Sequence, residues 1–240
     1  MSRVGSLLYA SEIPINDHLS VKIPTIGKIK ESEDDYFSLV CSFVATPYDL
    51  MVQLDDAGID FTKINDFELF MLLLPQIAAM DASPLFGELR WADFAPAQSE
   101  QNGELILLNG QTGAVIDASI HDRMCSAIRK IHYMEKEIHK PANEEARKYL
   151  IERARKKLKR RKNKEKESPL DPYIIALVNT PHFKYDYEQT KGLTVYQFYS
   201  SVYQIAHKIR YDNMMIGAFA GTIKMDEMKE EDKTWVMTRK

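Results

Sequence analysis

Three histidines, His121, His132 and His139, are the side chains in this sequence best suited to act as bases or metal ligands. Their separations of 11 and 7 residues return each ring to nearly the same helical azimuth. Along the helix axis, however, they stand about 16 Å and 10 Å apart at 1.5 Å per residue. One metal ion cannot reach two of them. His121 and Cys125, at i and i+4, form a better-placed pair of ligands, yet no further Cys or His motif completes a site. The histidines are therefore read as solvent-facing, and no metal or cofactor is expected. Carboxylate pairs such as Asp34-Asp35, Asp55-Asp56 and Glu144-Glu145 sit at helix starts or turns, where acids suit the dipole and the loop. Acid-base catalysis needs carboxylates that converge in space, and no spacing here implies that. Nucleophile-elbow, zinc-protease, phosphate-loop and dinucleotide-binding signatures are absent. No catalytic residue is assigned, and the chain is expected to work by binding rather than by catalysis.

Two features could bind a partner. The first is a basic arm, residues 153–166, whose ten Lys or Arg face one Glu. Its cations include Arg153, Arg155, Lys156, Lys157, Lys159, Arg160, Arg161 and Lys162. The local charge of +9 leaves −12 on the rest of a chain whose net charge is −3. Such an arm can contact nucleic-acid phosphates in a salt-sensitive way. It has no interleaved aromatics for base stacking, however, and the acidic remainder repels a polyanion. A solvated helix end that docks on an acidic partner, or on the chain itself, is the favoured reading. The second feature is Tyr196, Tyr199 and Tyr203, at i, i+3 and i+7 beside a core stripe, with Tyr211, Met214 and Met215 following. These adaptable side chains offer more apolar surface than one core face uses. Burial of that helix on two sides would explain them equally well.

The elements that must position these residues are mostly helical. The 240 residues suit one large domain or two small ones, and 45% hydrophobic with 28% charged residues is ordinary globular composition. Cys41 and Cys125 both fall in apolar helical patterns and read as buried thiols of a reducing compartment. The apolar run Leu69 to Met80 is too short to span a membrane and holds Pro75, and Leu7 to Ala10 is too short for a signal segment. A cytoplasmic protein is expected.

The fold class expected is mainly α (α+β). A short strand, Leu19 to Ile23, ends at Pro24. A helix follows from Tyr36 with the stripe Phe37, Val40, Cys41 and Val44, and another closes at Ala57-Gly58. Asn65 and Glu68 form a capping box for Asp66 to Met80, a helix apolar on every side and so expected to be buried all round. Leu85 to Ser99 reads as irregular. A β-hairpin is placed near residues 104–116, turning at Asn109 to Gly113. Asp117 then caps a long amphipathic helix with the stripe Ile120, Met124, Ala127, Ile128, Ile131, Met134 and Ile138, broken at Pro141. Asn143 caps the helix that leads into the basic arm, and a short apolar helix begins near Tyr173. The last helix starts at about Thr194 with the core stripe Val195, Phe198, Val202, Ile205, Ala206 and Ile209. The expected organisation is a mostly helical region 1–95, a β-hairpin 96–116 and a helical region 117–240, or all three as one continuous domain.

Whole segments also carry a family resemblance. They read A-N-E-E-A-R-K-Y-L-I-E-R-A-R-K-K-L-K-R-R-K (Ala142 to Lys162) and P-Y-I-I-A-L-V-N-T-P-H-F-K-Y-D-Y-E (Pro172 to Glu188). L-T-V-Y-Q-F-Y-S-S-V-Y-Q-I (Leu193 to Ile205) and Y-D-N-M-M-I-G-A-F-A-G-T-I-K (Tyr211 to Lys224) follow. V-Q-L-D-D-A-G-I-D-F (Val52 to Phe61) and I-N-D-F-E-L-F (Ile64 to Phe70) fit the same group. The chain resembles a tail assembly chaperone of siphovirus-like phages and prophages of Gram-positive bacteria. The resemblance implies a non-catalytic morphogenesis protein of the host cytoplasm that binds the tape-measure protein, and it brings no set of site residues with it. A nucleic-acid-binding or packaging-associated protein using the basic arm is the alternative, and another structural tail protein a third reading. Oligomeric state is left open.

Overall fold

The computed structural model describes residues 6–99, 103–137, 140–162 and 167–237, with the side chains of Arg161 and Lys162 left out. Ile138, His139 and the end of the basic arm, 163–166, lie outside the described residues. The protein is mainly helical, α+β, with two small antiparallel sheets. No helix among the described residues is long and apolar enough to cross a membrane. The chain divides into two compact units. The first is Met1–Pro24 with Lys28–Glu167, and the second is Thr25–Gly27 with Ser168–Lys240.

The first unit opens with a hairpin of β1 (Glu12–Asn16) and β2 (Leu19–Lys22). Only the second strand was legible. Pro14 disguised the first, and it is tolerated because a two-stranded sheet leaves one edge of each strand free of ladder bonds. Ile13, Ile15, Leu19 and Val21 alternate inward and are buried. After α1 (Ile26–Lys30), which straddles the division between the units, α2 (Glu33–Val44) packs on α4 (Asp66–Ala78) and α6 (Ala118–Ile131). The face that α2 buries is Tyr36, Leu39, Val40, Phe43 and Val44. This face is rotated from the expected one, so Phe37 is only half-buried and Cys41 is exposed rather than a core thiol. Around Phe43 stand Phe70 at 5.6 Å, Phe86 at 4.6 Å and Trp91 at 4.9 Å between ring centroids. Aromatic pairs at such separations add to the apolar area they bury.

Local signals set the helix ends. The Asn65 side chain accepts from Glu68 N at 2.9 Å while the Glu68 carboxylate accepts from Asn65 N at 2.8 Å, the expected capping box. The helix it opens does keep a solvent side: Leu72 is 54% exposed and Pro75 is exposed too. Pro75 therefore interrupts the backbone ladder where water can take the freed carbonyl. The helix α3 (Met51–Asp56) ends on Gly58, whose φ of 73° is the left-handed closure glycine permits. Ile59 N donates to Leu54 O at 2.8 Å to complete it.

After the short α5 (Ser83–Phe86), β3 (Phe94–Gln98) occupies a stretch expected to be irregular. It pairs with β4 (Leu105–Asn109), which pairs with β5 (Val115–Ile116), as the hairpin reading required. Pro96 is accommodated because β3 is an edge strand. Asp117 caps α6 by accepting from Ile120 N at 2.7 Å. The helix stops at Ile131, well short of Pro141. Tyr133 takes a φ of 58° and Met134 N donates to Arg129 O at 2.9 Å, so the chain turns away while the apolar pattern still runs on. Met134 is consequently exposed. Asn143 then caps α7 (Glu144–Lys162), accepting from Ala146 N at 2.8 Å. Met51, Val52, Leu54, Phe61, Leu69 and Ile151 make a second small core, against which Leu150, Ala154 and Leu158 of α7 pack.

In the second unit, α8 (Asp171–Val178) contacts α9 (Tyr187–Thr190) and α10 (Val195–Phe219). Thr25 to Gly27 run beside the entry to α10: Ile26 N donates to Leu193 O at 2.8 Å and Gly27 N to Lys191 O at 2.9 Å. A side chain at Gly27 would stand 3.2 Å from Lys191 Cβ and from its carbonyl, so glycine is what lets the two backbones meet.

Candidate partner-binding surface

The helix carrying the tyrosines is set by its own cap. Thr194 Oγ1 accepts from Gln197 N at 3.2 Å, and Gln197 Oε1 accepts from Thr194 N at 2.9 Å. The 25 residues that follow span about 37 Å. Gly221, with φ 74°, ends the helix, and Thr222 N and Ile223 N both donate to Gly217 O. The chain then folds back along one side of α10. Gln204 Nε2 donates to Trp235 O at 2.7 Å, His207 Nε2–H to Thr234 O at 2.8 Å, and Arg210 reaches the buried Asp232 at 2.9 Å.

That return covers α10 only partly. Of the expected stripe, Val195 and Phe198 are buried, Val202 and Ile205 half-buried, and Ala206 and Ile209 exposed. The stripe pattern was real, but none of the described residues of the second unit covers its far half. Of the tyrosines, Tyr203 is exposed, while Tyr196 and Tyr199 are half-buried. Tyr199 meets Tyr173 of α8 edge-on at 6.2 Å. Met214 and Met215 are half-buried. At 3.6 residues per turn, Tyr196, Tyr203 and Met214 share a face with His207, where the returning chain partly covers the helix, and Met215 lies about a quarter-turn away. Sequence reasoning missed the exposed Ile216 and Phe219, 66% and 84% accessible, because apolar residues near a helix end look like core until their neighbours are known.

The burial of the second unit is thin throughout. Its buried apolar residues are Ile26, Leu170, Leu177, Val195, Phe198 and Met228. Tyr173, Ile175, Tyr185, Tyr187, Met225 and Trp235 join those already named as exposed. Exposed apolar residues in such number on one small unit make it the candidate binding surface.

The basic arm is less free than its charge suggests. Arg155 bridges Asp55 at 2.9 Å and Asp56 at 2.7 Å at the end of α3, which raises its already high pKa further. Arg147 clasps Glu144 at 2.6 Å and holds that carboxyl below its usual range. Arg153, Lys156, Lys157, Lys159 and Arg160 are exposed. Helix α7 continues to Lys162, so the arm is helical through that residue.

The histidines depart most from expectation. His121 and His132 are buried, not solvent-facing, and His139 lies outside the described residues. His132 Nδ1–H donates to Ile128 O at 2.7 Å, which fixes the tautomer and leaves Nε2 to accept from Tyr36 Oη at 2.7 Å. Cys125 donates its S–H to Phe43 O at 3.1 Å and lies 3.3 Å from His121 Nε2, which donates to the sulfur. Burial pushes both imidazoles down to about 4 and the Cys125 thiol up to about 12. A thiol so desolvated stays protonated and is a poor nucleophile at neutral pH. Among the described residues no three His, Cys, Asp or Glu side chains gather closely enough to hold a metal ion. A cleft of about 1140 Å³ in the first unit is bordered by Cys41, Val44, Arg129, Arg153 and Lys157. Its most buried charge, Arg129, donates to Val44 O at 2.6 Å and so closes the end of α2.

No curated protein and no solved structure matches the chain. Residues 161–238 match the family model of the YomV second domain. YomV is a Bacillus phage-related protein, and the matched stretch coincides closely with the second compact unit.

Proposed function

We propose that this chain is a non-catalytic phage morphogenesis protein, a tail assembly chaperone of the host cytoplasm that binds the tape-measure protein before the tail tube forms around it. The observation that carries this reading is the second unit's apolar surface. A unit that leaves Tyr173, Ile175, Tyr203 and Phe219 in water presents hydrophobic area that a client helix can cover. Aromatic and methionine side chains suit such contacts because they adapt to an irregular client surface. The phage-related family match over that same unit supports a viral setting. His121, His132 and Cys125 are buried and uncharged, so none of these three acts as an activated base or nucleophile at neutral pH. Affinity capture of the full chain from prophage-induced cells, read by mass spectrometry, tests the reading. Specific recovery of the tape-measure protein is the expected result. Recovery of other tail components alone, or of nothing phage-encoded, overturns it.

A further inference from the structure

The uncovered side of α10 has a regular spacing that the client-binding role does not require. Val202, Ala206, Ile209, Asn213, Ile216 and Ala220 follow one another at steps of 4, 3, 4, 3 and 4. That is a heptad seam, the repeat by which one helix packs along another. Five of the six are exposed and Val202 is half-buried, whereas the returning chain lies on the side of Gln204 and His207. The seam carries no charge. It is bordered by a shallow depression of about 430 Å³ formed with Arg210, Met214 and Ile223.

From this we infer that α10 is also a self-association element, and that the occupant of the seam is the same seam on a second copy of this chain. Two features select a second copy over an unrelated helix. The pattern is nearly symmetric about Asn213, with Ala206 seven residues before and Ala220 seven after, Ile209 four before and Ile216 three after. A two-fold axis through Asn213 therefore sets Ala206 against Ala220 of the second copy, and Ile209 against its Ile216, in an antiparallel, isologous contact. The small alanines at either end let the helices approach closely.

Asn213 is the second feature. Its amide has no hydrogen-bond partner among the described residues, and burying it against an apolar client would leave a donor and an acceptor unpaired. Against its own copy it is both donor and acceptor, so the pair satisfies itself, and a single polar residue in a seam fixes register. The seam is about 27 Å long and about 10 Å wide, roughly 300 Å² per copy, well below the roughly 800 Å² per partner of a standard interface. The dimer is accordingly weak and concentration-dependent. The middle of the seam lies roughly a third of a turn from the Tyr196, Tyr203 and Met214 face, so different substitutions test the two contacts.

Sedimentation equilibrium of the full chain, from about 1 µM to about 200 µM, reads it directly. The mass should rise from 27.7 kDa toward twice that value. The Ile209→Glu, Ile216→Glu double variant, altered only at exposed positions, should stay at 27.7 kDa with an unchanged circular dichroism spectrum. In a Cys41→Ser background, Asn213→Cys should form a disulfide-linked dimer under mild oxidation. Ala206→Cys alone should not cross-link, but should do so when mixed with Ala220→Cys. A chain that stays monomeric at the highest concentration overturns the inference. So does a dimer that survives the double glutamate change, or cross-linking of Ala206→Cys with itself. Client capture by the double variant is scored separately, so loss of the dimer and loss of the client are distinguishable.

Discussion

Acidification should destabilise the first unit through its two buried histidines, and the size of the effect follows from their surroundings. Among the described residues His132 is enclosed with Tyr36 Oη and Ile128 O as the polar partners of its ring, and His121 lies against Phe70 at 4.6 Å and the Cys125 sulfur. Burial favours the neutral ring and brings both pKa values down to about 4 from 6.5. The unfolded chain therefore takes up these two protons near pH 6.5, and the folded chain only near pH 4. The stability they contribute is whole above about pH 6.5 and is lost as the pH falls toward 4, at up to about 1.4 kcal/mol per pH unit for each ring. At pH 5 the loss is about 2 kcal/mol per histidine, or about 4 kcal/mol for both, against a typical total of about 5–15 kcal/mol. Urea unfolding followed by circular dichroism at pH 7 and pH 5 measures it. His132→Gln, which cannot titrate, should roughly halve the loss between the two pH values whatever it does to stability at pH 7. An unchanged pH dependence in that variant, or an NMR titration of either ring near pH 6.5, would refute the burial argument.

Three further outcomes are expected. Phe43→Ala should cost about 3–5 kcal/mol, because it empties the space between Phe70, Phe86 and Trp91, and should shift Trp91 fluorescence. Asn65→Ala should cost about 1 kcal/mol in thermal unfolding by removing one half of the capping box of α4. Fluorescence anisotropy at low salt should detect no DNA binding, since Arg155 is already bound to Asp55 and Asp56 and the chain outside the arm is acidic. Salt-sensitive binding that is lost on Arg153→Glu with Lys157→Glu would restore the nucleic-acid reading.

What was legible in the sequence was what is decided locally. Asn65, Asp117 and Asn143 each cap the helix they precede, because a cap needs only a side-chain oxygen and an amide three residues on. The turn at Asn109 was legible too, since Gly113 takes a φ of 71° and the Asn109 side chain accepts from Gln111 N and Thr112 N. Periodicity was weaker wherever two registers fitted. Phe37 and Cys41 share the helical spacing of Tyr36 and Val40, and only packing against α4 and α6 selects which set turns inward. The extent of α6 was hidden because Met134 continues the apolar pattern after Tyr133 has turned the backbone away. For the candidate surface, the tyrosines and methionines stood out as residue types. The uncovered strip from Val202 to Ala220 did not, because its meaning depends on which apolar residues the rest of the unit fails to bury.

The central claim is that the second unit binds its client through α10, and co-expression with the tape-measure protein tests it most directly. Tyr196→Ser, Tyr203→Ser and Met214→Ser together alter one face of the helix while leaving the buried Val195 and Phe198 and the seam through Asn213 in place. The account predicts that the tape-measure protein, kept in solution by the wild-type chain, becomes insoluble with the triple variant while the thermal transition of the variant is unchanged. Loss of client solubility should be large, because an aromatic anchor removed from such a contact can cost about 2 kcal/mol or more. A triple variant that folds normally and still keeps the client in solution would contradict the account.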